Sequence, residues 1–415
     1  MNSADDLDNR GAVTEPPVEA PDGKRPPLSR NIYVVSLVSF FQDAASEILY
    51  PVLPFFVTGV LGAPPAVLGL IEGLADGTAS AMKAVSGRLA DLRHRRPLVA
   101  AGYSASAFGK LLLATAGAWP VVLTARVTDR VGKGLRGPPR DAIIADETTP
   151  ANRGRAFGFH RAADTAGAVV GPLIGLGLYE LVGHRFRPLL WIALIPALIS
   201  VALVFLIREH AHRRPRVERA WSVRGLPRRY WRLVGVVAVF GLVNFPDTLL
   251  LLRAKDLGLG FAGVVFVYVL YNLAYAILSY PAGVVSDRLN RRVVFGVGLI
   301  VFSVTYLGFG LTSSPGWIWV LLPLYGAYTA LTDGVSRAWV ADLVPADVRG
   351  TALGIHAAVS GVGLLVAGVW AGLAWHGTGH VPFVASGVVV GALALVLLVG
   401  SRFFDGEPEP SGPRS

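Results

Sequence analysis

Apolar residues run along this chain in long blocks, separated by short polar or charged connectors. The blocks fall at about 32–58, 66–86, 98–117, 120–143, 156–182, 188–207, 232–252, 261–282, 293–312, 316–338, 352–375 and 381–401, each near the length needed to cross a bilayer. A segment inside lipid must satisfy its own backbone hydrogen bonds, so every block predicts an α-helix. Several blocks are rich in Gly and Ala, which lets helices approach closely in lipid.

The connectors alternate in charge. Basic ones carry Arg88, Arg93, Arg95 and Arg96, then Arg136, Arg140, Arg153 and Arg155, then Arg288, Arg291 and Arg292. A long central connector, 208–231, is studded with arginines from Arg208 to Arg229. The alternate connectors near 62–65, 118–119, 313–315 and 376–380 hold no Lys or Arg. The positive-inside bias therefore places both termini and the central connector in the cytoplasm, with the bundle in the plasma (inner) membrane. Two outer connectors break the pattern, one with Arg185 and Arg187 and the other with Arg253 and Lys255. Trp119, Trp317, Trp319 and Trp375 fall near predicted outer ends, where indole rings favour the interface.

Composition agrees with a membrane protein: 53% of residues are hydrophobic and 16% charged, against about 25% charged in soluble domains. The net charge of +10 does not point to nucleic acid, because the basic residues sit in connectors rather than in one surface stripe. Cysteine is absent, which excludes disulfides and thiolate metal sites. No Ser/His/Asp, His/Glu metal or phosphate-loop constellation is apparent, so neither an enzyme nor a cofactor or metal site is expected. The first 30 residues are polar, rich in Pro, Asp and Glu, and lack the apolar core of a signal peptide.

The chain also repeats itself. Gly87, Asp91, Arg95 and Arg96 recur as Gly283, Asp287, Arg291 and Arg292, a shift of 196 residues. Ala145-Asp146 maps onto Ala341-Asp342 at the same shift, and Arg153-Gly154, Ala156 and Gly158 onto Arg349-Gly350, Ala352 and Gly354. A duplicated apolar bundle is a common transporter plan, with the pathway between the halves. The predicted division is a disordered cytoplasmic tail (1–30), a six-helix bundle (31–207), the basic cytoplasmic connector (208–231), a second six-helix bundle (232–403) and a second tail (404–415).

These residues resemble the major facilitator superfamily, whose loop signature between the second and third helices is Gly-x-x-x-Asp-(Arg/Lys)-x-x-Arg-(Arg/Lys). Gly87 to Arg96 fits with Leu92 where a basic residue is usual, and Gly283 to Arg292 fits fully, including Arg288. The resemblance implies twelve transmembrane helices in two pseudo-symmetric bundles, and gating roles for Asp91 and Asp287 with their loop glycines and arginines. In the fourth helix Arg130-Val131-Gly132-Lys133-Gly134 is similar to the Arg-x-x-Gln-Gly of proton-coupled members, with Lys133 in place of Gln and Arg126 as a competing alignment. In the fifth helix Gly167, Gly171, Pro172 and Gly175 match the Gly-x-x-x-Gly-Pro-x-x-Gly-Gly of drug/proton antiporters, with Leu176 at the last position. Small residues there permit tight packing and the proline bends the helix.

Ionisable residues inside the blocks are functional candidates, because each costs several kcal/mol in lipid. Asp43 and Glu47 share a face of the first helix, with Asp43 roughly 18 Å deep at ~1.5 Å per residue. Glu72 and Asp76 form a similar pair on the second helix, and Lys110 stands alone on the third. Arg126, Asp129, Arg130 and Lys133 form one polar stripe on the fourth, and Arg161 and Asp164 stand a turn apart on the fifth. The expected proton carrier is Asp43 or Glu47, with Asp129 behind them and Arg130 and Lys133 holding the carboxylates ionised. The second half offers a substrate wall of Asn244, Asp247, Asn272, Tyr325, Tyr328 and Asp333, with Thr332 and His356 nearby. Asp247 and Asp333 stand out as buried acids without evident partners. The expected function is secondary active transport of a small molecule by a monomer in the lipid bilayer, as a proton-coupled exporter. The alternative is a symporter importing an organic anion, bound by Arg126, Arg130, Lys133 and Arg161. A membrane enzyme or receptor is the third and weakest reading.

Overall fold

The computed structural model describes residues 27–92, 94–148, 152–208, 226–345 and 348–400. Most of the expected tails and of the central connector therefore lie outside the described residues. Twelve helical crossings follow one another: α1 (Arg30–Val60), α2 (Pro65–Leu92), α3 (Arg95–Thr115), α4 (Trp119–Asp146), α5 (Arg153–Leu181), α6 (Phe186–Val204), α7 (Arg228–Gly241 and Asp247–Asp256), α8 (Phe261–Arg288), α9 (Arg291–Leu311), α10 (Ile318–Leu343), α11 (Arg349–Leu373) and α12 (His380–Val399). Among the described residues there is no strand. α1 loses its regular form at Pro51 and Pro54, each lacking an N–H, and finishes as a π-helical turn over Phe55–Val60.

α7 departs from the expected unbroken span at 232–252. It consists of α7a (Arg228–Gly241) and α7b (Asp247–Asp256), parted by a non-helical stretch containing Asn244 and Pro246. The physical cause is local: Pro246 cannot donate to the preceding turn and disfavours helix at Phe245.

Packing repeats between the halves. α1 lies on α5, α2 and α3 on α4, and α3 on α6; likewise α7 lies on α11, α8 and α9 on α10, and α9 on α12. The duplicated residues make duplicated contacts: Arg95 pairs with Asp146, and Arg291 with Asp342. Arg96 donates to Phe205 O at the end of α6 (2.7 Å), and Arg292 to Leu397 O near the end of α12 (2.8 Å). The molecule is thus an all-α membrane fold of two pseudo-symmetric six-helix bundles.

Across the halves, α2 meets α11 and α5 meets α8. The α2–α11 seam is closed at the end remote from the termini, where the backbones nearly touch. A Cβ on Gly69 would sit 2.0 Å from Gly368 O, and one on Gly372 2.4 Å from Ala66 Cα. At the same end Lys255 Nζ donates to Thr58 Oγ1 (2.7 Å), and Phe55, Tyr179, Phe186 and Phe261 cluster between α1, α5, α6 and α8.

This end also explains the two exceptional charges. Arg253 is fully buried and donates to the carbonyls of Phe309, Thr312 and Thr378, capping the end of α9 rather than marking a loop. Lys255 faces Thr58 and the Phe55 ring. Trp375 corrects the interface expectation: it is buried, and its indole N–H donates to Asp256 (3.0 Å), whereas Trp119, Trp317 and Trp319 are exposed.

The fifth-helix glycines form a packing seam. A Cβ on Gly167 would lie 2.7 Å from Phe40 O, and one on Gly171 2.8 Å from Ala44 O of α1. Gly175 faces Ile48, and Pro172 lies buried within the helix. Gly177, on the open side, has no neighbour within 4 Å. Gly171→Val should therefore cost about 1–3 kcal/mol by overpacking, read as a lower melting temperature in detergent, while Gly177→Val leaves the melting temperature nearly unchanged.

Candidate functional site: a buried charge chain beside a tyrosine-lined cavity

The N-terminal half holds a chain of ion pairs between α2, α3 and α4. Arg126 forks onto Glu72 with two bonds of 2.6 Å. Arg130 touches Asp76 at 2.9 Å and lies 3.8 Å from Glu72. Lys110 donates to Asp129 at 3.0 Å, and Asp129 lies 3.7 Å from Arg126. Three acids and three bases thus alternate through a low-dielectric interior, where leaving any of them alone would be costly. Only the Asp76 end emerges: its side chain is 33% exposed, against 0% for Glu72 and 7% for Arg130.

Several expected partnerships differ. Arg130 holds Glu72 and Asp76 rather than Asp43 or Glu47, and Asp129 lies among Lys110, Arg126 and, as expected, Arg130 (3.9 Å). The four-residue spacing of Glu72 and Asp76 displays the correct partners, but spacing within one helix says nothing about which neighbour it faces. Asp43 makes no hydrogen bond or ion pair among the described residues; Lys133, Arg136, Arg140 and Asp164 are its charged neighbours. Glu47 accepts a hydrogen bond from Tyr268 of α8 (2.6 Å), a polar link between the halves. Lys133 is exposed and has Asp43, Glu47 and Asp76 as its opposite charges. Arg161 and Asp164 do not pair with each other. Arg161 donates to Tyr275 of α8 (3.4 Å), whereas Asp164 lies near His160 (3.6 Å) and Arg140 (3.9 Å).

A cavity of about 350 Å³ lies beside the charge chain, lined mostly by the C-terminal half. Asn244 and Asp247 reach it from the break in α7, Tyr325, Tyr328, Thr332 and Asp333 from α10, and His356 from α11. Asp247 accepts from Tyr325 (2.8 Å) and Tyr271 (3.1 Å). Asp333 is not the unpaired acid expected: Arg337 one turn on donates to it, as does Tyr275 (3.2 Å). Asn272 lies off the wall and donates to Tyr268 O on its own helix. The sequence-based wall also lacked Tyr50, Asp76, Ser80 and Tyr271, which line the cavity too. Among the described residues no group of three His, Asp or Glu side chains is arranged to hold a metal.

At the terminal-bearing end, Asp287 pairs with Arg291 (3.2 Å), and Arg288 is exposed. The side chain of Asp91 lies outside those described. Gly87 and Gly283 have room around them, so neither is required by a close contact here.

The Arg126–Glu72 fork predicts an asymmetry in stability. Arg126→Leu alone leaves the buried Glu72 carboxylate with only the longer Arg130 contact of 3.8 Å and should cost about 3–5 kcal/mol. The double change Arg126→Leu with Glu72→Leu should recover most of that loss. Thermal melts of the purified proteins check this, and equal instability of the single and double variants would count against the fork as the stabilising contact.

The family model of the Major Facilitator Superfamily matches residues 35–266 and 248–415. An uncharacterized MFS-type transporter of Methanocaldococcus jannaschii is 32% identical over 379 residues, covering 89% of this chain and 95% of that protein. The multidrug resistance protein MdtH of Proteus mirabilis is 24% identical over 317 residues, covering 74% of this chain and 77% of its own. Among solved structures, the nucleoside transporter NupG superposes with a TM-score of 0.78 over 89% of this chain and 99% of that one, at 12% identity. Two packed repeats, one cavity between them and this family match lead to one conclusion: the chain belongs to the major facilitator superfamily and is a multi-pass membrane transporter.

Proposed function

We propose that this transporter is a proton-coupled exporter of small amphipathic molecules in the plasma membrane, working as a monomer with both termini in the cytoplasm. The observation that supports it most is the position of Asp76. This carboxylate lines the cavity and also ends the buried charge chain through Arg130. A molecule entering the cavity therefore changes the surroundings of a network whose other charges are buried from screening solvent. Asp43 and Glu47 carry the proton in this reading. Asp43 is unpaired, and Glu47 holds Tyr268 across the halves, so protonating it changes a bond between the two bundles. With the basic connectors in the cytoplasm, the closed seam of α2 and α11 is the outer one and the described state faces inward.

The anion symporter finds less support. Of its four basic residues, Arg126 and Arg130 are committed to carboxylates and Arg161 to Tyr275. Lys133 stands beside Arg130 and has Asp43, Glu47 and Asp76 as opposite charges. The multidrug resistance name of the distant MdtH relatives favours export. Asp91, Asp287, Arg95 and Arg288 are assigned to gating rather than to substrate.

Everted vesicles carrying an imposed proton gradient test this reading against a panel of amphipathic drugs. At least one compound should dissipate the gradient in wild-type vesicles, and Asp43→Asn and Glu47→Gln should each remove most of that response. An unchanged response in both variants would falsify the coupling. Gradient-driven accumulation in intact cells would replace export by import.

A further inference from the structure

The cavity differs in charge from the half of the molecule beside it. Its lining contains Asp76, Asp247 and Asp333 and no Lys or Arg. Two of these acids are answered, Asp76 by Arg130 and Asp333 by Arg337. Asp247 is not: among the described residues its two oxygens receive only the Tyr325 and Tyr271 hydroxyls, and it forms no ion pair. The charged side chains that influence it most are acids, Asp76 and Glu47. Arg337 is engaged by Asp333, and the exposed Lys133 and Lys83, on α4 and α2, do not line the cavity. A buried carboxylate with hydrogen bonds but no counter-ion leaves room for one to arrive.

The surroundings of Asp247 suit an organic cation. It begins α7b at the interruption of α7, and interrupted membrane helices mark ion and substrate sites because their freed polar groups must meet something. Asn244, three residues earlier, donates to Tyr328 and leaves its buried Oδ1 without a partner, an acceptor beside the carboxylate. Tyr50, Tyr268, Tyr271 and Tyr325 form a ladder with centroids 5.2, 5.8 and 5.5 Å apart. Ring faces of this kind attract cations and cover apolar surface at the same time. The volume of about 350 Å³ matches a drug-sized ligand.

We propose that Asp247 is the counter-ion for the positive group of an aromatic or aliphatic organic cation bound in the tyrosine-lined cavity. Tyr271 and Tyr325 are positioning residues that hold the carboxylate towards that group. The inference rests on reading the cavity as the transport path, yet its test needs no gradient or transport. Purified full-length protein is melted with tetraphenylphosphonium or with tetraphenylborate, which match in shape and differ in sign. The phosphonium should raise the melting temperature saturably and the borate should not. Asp247→Asn should weaken phosphonium binding by roughly tenfold or more, whereas Glu180→Gln, an exposed carboxylate outside the cavity that pairs with His184, stays near the wild-type affinity. Equal or preferential stabilisation by the borate, no stabilisation by either ion, or an Asp247→Asn variant that binds as well as wild type would each overturn the proposal. If the Asn variant does not fold, the wild-type preference between the two ions decides. Phosphonium binding without any proton response in vesicles would sink the antiport reading and leave this one standing.

Discussion

A charge held inside a membrane protein has to be answered by another charge, and the N-terminal half of this transporter is organised around that requirement. Lys110, Asp129, Arg126, Glu72, Arg130 and Asp76 alternate in sign through the contact of α2, α3 and α4. Each side chain is satisfied only if its neighbours stay in place, so the three helices behave as one block. Their close approach depends on small residues: Cβ atoms on Gly109, Gly132 and Gly134 would fall 2.7, 2.4 and 2.5 Å from neighbouring atoms. The polar chemistry and the glycine content of this half are two sides of one packing solution.

The C-terminal half solves the same architectural problem with other materials. Its midplane contacts are made by stacked rings and phenol hydroxyls, with Tyr306 and Phe302 3.8 Å apart and Tyr325, Tyr328 and Phe383 packed around them. Rings tolerate sliding in a way that alternating ion pairs do not, because dispersion falls off without a change of sign. A stiff half and a more forgiving half meeting at a cavity is a natural arrangement for rocking about a central site.

Much of the fold was legible in the residues alone, for reasons that can be named. Bilayer thickness sets the block length, so twelve crossings could be counted. The fixed shift between Gly87 and Gly283 announced the repeat, and the structure gives it physical content in the matching pairs Arg95–Asp146 and Arg291–Asp342. Partner choice was not legible. That Arg130 turns to Asp76 rather than Asp43 depends on the rotation of α4 against α2, a tertiary quantity. Arg253 misled for a related reason: loop charge and capping charge look alike until the carbonyls of Phe309 and Thr312 are seen around it. The break in α7 had a signal in Asn244-Phe245-Pro246, but apolar residues on both sides conceal it from any count of hydrophobic positions.

That break bears on why the halves diverged. Duplication alone would provide two equivalent faces to the cavity, and a symmetric site has no reason to prefer one ligand orientation. Here α1 keeps Asp43 and Glu47 near bases, whereas its counterpart α7 opens at Asn244–Pro246 and carries Asp247 among tyrosines. At the 196-residue shift Asp247 falls opposite Pro51 rather than Asp43 or Glu47, so the two halves place their carboxylates at different positions of matching helices and among different neighbours. In the function proposed above, that separation lets one half respond to protons and the other to cargo while a single cavity serves both.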